Sequence, residues 1–158
     1  MALRKILYTR PDGGVTVIHP TRNTLGEVPG ITDAEIEQRA FAKLPMAATN
    51  PQFVDLAVIP SDRTFRDAWE HGGNTVVHNM AKARTIAQDR VREARGPRFT
   101  ALDADYIRAL EDNDTSKQAQ IKAQKAILRN APADPRIANA ADPVALKAAV
   151  AAVIAELP

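Results

Sequence analysis

The chain changes character near residue 80. Before it, β-branched residues alternate with Gly- and Pro-rich turns; beyond it, alanine and charge dominate. Short β-rich segments broken by turn residues build sheets, and long Ala- and charge-rich stretches build helices. The two characters in succession point to an α+β fold. A small antiparallel sheet with one or two helices is expected over 1–79, and an all-helical region over 80–158. Bulky apolar residues limit what either part can bury. Alanine supplies 29 of the 158 residues, whereas Leu, Ile, Val and Phe together number 36, or 23%. That is just above the ~20% below which a chain rarely offsets its ordering entropy. The core is expected to be thin.

Local chemistry marks most boundaries in the first part. Leu3–Arg10 and Val15–His19 flank Pro11-Asp12-Gly13-Gly14, a hairpin pattern. Thr32-Asp33-Ala34-Glu35 is a capping box opening a helix with Ile36, Ala40 and Leu44 on one face, stopped by Pro45. Residues 45–53 read as a loop. Val54–Ile59 reads as a strand with Val54, Leu56 and Val58 on one side. Pro60-Ser61-Asp62 is expected to start a short helix that presents Phe65 and Trp69 on a shared face, either as core or as interface anchors. Gly72-Gly73-Asn74 reads as a turn before a brief strand, Thr75–His78.

The second part is read as a series of helices. The first spans about Met80–Arg95, with Met80, Ala83, Ala87, Val91 and Ala94 inward, and Gly96-Pro97 is expected to end it. Thr100 would cap a second, with face Leu102, Tyr106 and Leu110, and Thr115 a third, carrying Ile121 and Leu128. Asp134-Pro135 and Asp142-Pro143 each set an N-cap before a proline at the first helical position. The last helix carries Leu146, Val150, Val153 and Leu157, a short heptad-like seam that needs a partner surface. Charge is segregated: Lys82–Arg98 has a balance of +4 and Asp103–Asp114 one of −4. The simplest reading pairs these two segments as antiparallel helices that neutralise each other.

Several functions lose support from the residues. The chain has no cysteine, so disulfides and thiolate metal sites are excluded. The longest charge-free apolar run, Ala148–Ala155, is far short of the ~20 residues of a membrane span. The polar N-terminus argues against a signal peptide, and a soluble cytosolic protein is expected. His19, His71 and His78 lack metal-ligand spacing, and Gly13-Gly14 and Gly72-Gly73 lack the neighbours of a phosphate loop. Asp62 and Asp67 are expected to pair locally with Arg63 and Arg66. No acid, base and nucleophile constellation emerges, so no enzyme activity, catalytic residue, cofactor or metal is expected. A DNA-binding role for the 80–98 helix would rest on Arg84, Arg90, Arg92, Arg95 and Arg98, which do not gather on one helical face.

Three stretches carry a resemblance. Ile59-Pro60-Ser61-Asp62-Arg63-Thr64-Phe65-Arg66-Asp67-Ala68-Trp69 resembles a segment recurring in small tail-region proteins of bacteriophages and prophages. Ile6–Val15 looks like the opening of the same proteins. Leu102-Asp103-Ala104-Asp105-Tyr106 through Lys125-Ala126-Ile127-Leu128-Arg129 resembles the tail-fibre assembly chaperone families. Those families often close on a Trp-Pro tail, whereas here Ala133-Asp134-Pro135 leads into a further helix. The resemblance implies a non-enzymatic protein that binds a trimeric phage tail fibre, one copy per fibre chain. It would act in the host cytoplasm during assembly, or in the virion tail as a permanent minor component. The N-terminal part or the final helix is expected to grip the fibre. The expected anchors are Phe65, Trp69, Leu146, Val150, Val153 and Leu157, over a contact of at least ~1,000 Å².

Overall fold

A computed structural model describes residues 3–22 and 30–158. The fold is α+β, with antiparallel sheets first and helices after them. Two compact units divide between Asn79 and Met80.

In the first unit, β1 (Lys5–Thr9) and β2 (Val15–Ile18) form the expected hairpin. Gly13 takes φ +77°, and the Asp12 carboxylate accepts from the Gly14 amide at 2.9 Å, closing the turn. Ile6 and Leu7 are both fully buried although they point to opposite faces, so β1 is central. A buried strand must satisfy both of its edges. The second edge is met by β3 (Thr49–Val54), giving the order β2-β1-β3. This overturns the loop expected over 45–53. Pro51 is tolerated because β3 lies at the sheet edge, and Asn50 absorbs a φ of +50° where the register shifts. The expected strand at 54–59 reduces to Val54: Leu56–Val58 form a 3-10 turn, with Leu56 exposed.

Helix α1 (Asp33–Ala42) carries the full capping box, with Thr32 and Glu35 bonded reciprocally. It covers one face of the sheet: Phe41 meets Phe53 at 5.1 Å, and Arg4 grips the buried Glu37 through its amide and guanidinium. The Arg4 hydrogen bonds hold the Glu37 carboxyl below its usual range. On the other face, Leu7, Val15 and Val54 join Ile59, Trp69 and Val76 in one cluster. Trp69 and Val76 belong to a second, two-stranded sheet, β4 (Trp69–His71) and β5 (Val76–His78). No helix starts at Pro60. Asp62 accepts from the Thr64 amide instead, only a single 3-10 turn forms over Arg66–Ala68, and Trp69 is already extended. Phe65 and Trp69 therefore share no helical face.

The second unit holds one long helix and three shorter ones. Helix α2 runs unbroken from Met80 to Glu111, 32 residues and about 48 Å, straight through Gly96-Pro97. The expected break is absent for a geometric reason. Glu93, Gly96, Pro97 and Thr100 are all exposed, so the hydrogen bond that proline removes falls on the solvent side. The inward residues keep helical phase across it, from Ala83, Ala87 and Val91 to Ala109. Thr100 is thus mid-helix rather than a cap. The +4 segment and the acidic segment as far as Glu111 lie end to end on α2, so they cannot pair with each other as antiparallel helices. Leu110, expected inward, is 48% exposed, and Ala109 takes the buried place.

Helix α3 (Thr115–Asn130) is capped by Asp114, not Thr115, through the Lys117 amide at 2.9 Å. It folds back along α2, burying Ile121 and Leu128. Asp134 caps the single turn α4 (Pro135–Ala138), and Asp142 caps α5 (Pro143–Ala155), as the Asp-Pro pairs predict. Helix α5 packs along α2, with Arg84 of α2 bonded to the Ala140 carbonyl ahead of it and Arg98 to the carbonyls at its end.

Candidate functional site

The six expected anchors are all buried. Phe65 (2% exposed) and Trp69 (5%) belong to the first, and only Trp69 joins the cluster between its sheets. Leu146, Val150, Val153 and Leu157 form the inward side of the α5 segment, the last of them just beyond the helix end. A side chain already covered adds little new apolar burial on binding.

Arginines organise the helical unit in a way the charge count did not reveal. Arg84 donates to the Ala140 carbonyl at 2.9 Å. Arg95 donates to the carbonyls of Leu128 and Arg129 at 2.9 and 3.0 Å, closing the end of α3. Arg98 reaches the Leu157, Pro158 and Ile154 carbonyls at the end of α5. Helix C-termini carry unsatisfied carbonyls and partial negative charge, which guanidinium donors neutralise. These three arginines are engaged inside the unit, so the basic helix does not hold them ready for phosphates. Arg92 is paired with Asp89 at 2.5 Å.

Beyond Arg98, the contacts of α2 run to α3. Asp103 meets Lys125 at 2.6 Å, the Ala109 carbonyl accepts from Gln118 at 3.1 Å, and Lys122 and Lys125 stand over the Tyr106 ring. This helical arm covers its apolar strip incompletely. Leu102 and Tyr106 are half-buried, Leu110 is exposed, and Ile107 is 56% exposed on the solvent side. Sequence periodicity found the strip but not its exposure, because a 3–4 repeat records a face and not what covers it.

The histidines sit at strand ends. Trp69 Nε1–H donates to His78 Nε2 at 3.0 Å, which requires that nitrogen to be unprotonated. Burial lowers the His78 pKa, with Asp62 opposing. His71 contacts Gln52 at 3.1 Å. Arg66 approaches Asp67 at 4.0 Å, while Asp62 is used in its own turn. Among the described residues, no group of three or more His, Asp or Glu side chains is placed to hold a metal ion. Among the same residues, no helix is long and apolar enough to cross a membrane. Set against known proteins, the chain matches no family model, no curated protein and no solved structure at a significant level.

Proposed function

We propose that this chain is a bacteriophage tail-fibre assembly chaperone or fibre-associated protein, binding the trimeric fibre by surface complementarity. The observation that carries a binding role is the incompletely covered strip of the α2–α3 arm, Leu102, Tyr106 and Leu110, with Ile107 beside it. It is apolar, contiguous along one helix and rimmed by Asp103, Lys122 and Lys125, the composition of an interface patch. The part resembling the chaperone families, 102 through 129, spans this arm, and its two ends meet there in the Asp103–Lys125 ion pair. The six expected anchors are buried in the chain itself, and our reading sets the fibre contact on this arm.

Co-expression with a tail-fibre product encoded beside it tests the proposal. The wild-type chain should raise the yield of soluble trimeric fibre and co-purify with it. The double variant Ile107→Glu, Leu110→Glu should keep its helical circular dichroism and lose both effects. Fibre that trimerises equally well alone and captures no chain would overturn the proposal. Recovery from mature particles at fixed stoichiometry would assign the permanent structural role instead.

A further inference from the structure

The first unit holds a small cleft that the fibre reading does not use. It measures about 100 Å³ and opens between β2 and the loop before β4. Its wall is Val15, Val17 and Trp69, with the Thr16 backbone between the two valines, and its polar side chains are His19, Arg63 and Arg66. Two arginines and an imidazole thus line one space, and no carboxylate is among the described residues that line it, although Arg66 also approaches Asp67 at 4.0 Å outside it. The unit around it contains more acidic than basic residues, so this concentration of cations is local.

We propose that this cleft binds a phosphate group, with Arg63 and Arg66 as its charge partners and His19 as a neutral donor. Size favours a small tetrahedral oxyanion: a water occupies about 30 Å³ of liquid, so the space admits roughly three water volumes. Guanidinium forks match phosphate oxygens in pairs, and the apolar wall of Trp69 and the valines lowers the local dielectric, which strengthens each contact. Further cations surround His19. Lys5 is close enough to act on it, and Arg39 and Lys43 from the end of α1 line the adjoining cleft on its other side. Although His19 is exposed, partial desolvation, then the charges of Lys5 and Arg63, lower its pKa. Lys5 and Arg63 therefore place a positive field at the imidazole, which an anion would relieve.

Trp69 is the sole tryptophan of the chain and lines the cleft, so its fluorescence reports directly. Inorganic phosphate titrated into the full chain at fixed neutral pH and constant ionic strength should give a saturable change that chloride does not. The His19 ring, followed by NMR, should titrate at higher pH when phosphate is bound. Arg63→Gln and Arg66→Gln should each weaken binding about ten-fold or more, the loss expected for one charged hydrogen-bonding partner. Arg129→Gln, in the other unit, should not. Arg63→Lys keeps charge and loses the fork, and should fall between. O-phosphoserine in a second arm separates free phosphate from an ester: tighter binding of the ester points to a phosphorylated partner. A response equal to that of chloride, or unchanged in folded Arg63→Gln and Arg66→Gln proteins, would overturn the proposal.

Discussion

Continuity of α2 through Gly96-Pro97 makes a prediction whose sign depends on the fold. Proline in a helix interior costs about 3 kcal/mol relative to alanine, and glycine about 1 kcal/mol. Pro97 and Gly96 both face solvent, and a Cβ added at Gly96 meets no atom within 4 Å. Pro97→Ala should restore the hydrogen bond to the Glu93 carbonyl without a clash. The unfolded chain also gains freedom when proline is removed, which offsets about 0.4–1 kcal/mol. The net gain is about 2 kcal/mol for Pro97→Ala and about 0.5–1 kcal/mol for Gly96→Ala. Together they amount to roughly 3 kcal/mol, or about 10–20 °C in Tm for a unit of this size. Thermal and urea unfolding followed by far-ultraviolet circular dichroism measures both. Thr100→Ala is the control. A mid-helix Thr100 predicts no loss, whereas an N-cap Thr100 predicts a loss of about 1 kcal/mol. If Pro97→Ala and Gly96→Ala destabilise and Thr100→Ala costs a cap, the chain turns at Gly96-Pro97 and the single-helix account is refuted.

Other outcomes follow from the same contacts. Leu146→Ala, at a fully buried site, should cost about 2–5 kcal/mol in urea unfolding. Val144→Ala, 75% exposed on the same helix, should stay within about 0.5 kcal/mol; equal effects would mean α5 is not docked on this face. Arg98→Ala removes donors to the carbonyls at the end of α5 and should speed hydrogen exchange over 154–157, with a loss of about 1–3 kcal/mol. His78 has a lowered pKa in the folded state, so its contribution to stability is complete above about pH 6.5, the unfolded value. It is lost as pH falls through the folded value, when protonation breaks the hydrogen bond from Trp69. Trp69 emission should change over that window in the wild type, and His78→Asn should remove the change.

The arginines show how far charge counting reaches. A block of six basic residues over 82–98 resembles a polyanion-binding helix when read along the chain. In the fold, Arg84, Arg95 and Arg98 donate to carbonyls of segments more than thirty residues away. Sequence periodicity cannot anticipate this role, because it depends on where α3 and α5 end beside α2.

Features written within a few residues were legible from the sequence alone. Thr32 and Glu35 close their capping box, Asp12-Gly13-Gly14 turns the hairpin, and Asp134-Pro135 and Asp142-Pro143 start their helices. Each depends on a hydrogen bond or a φ preference that neighbouring residues settle among themselves. The seam from Leu146 to Leu157 was legible for a similar reason: helical spacing defines one apolar side, and thermodynamics requires that side to be covered. Tertiary structure decided the rest. Thr49–Val54 is a poor strand by composition and pairs because the buried β1 has a second edge to satisfy. Gly96-Pro97 would end an isolated helix, yet α2 continues because apolar residues stay in phase on both sides and the missing hydrogen bond faces water. Phe65 and Trp69 lie inside, and Leu110 outside, because burial is set by which elements meet around a residue. Spacing along the chain constrains only which residues share a face.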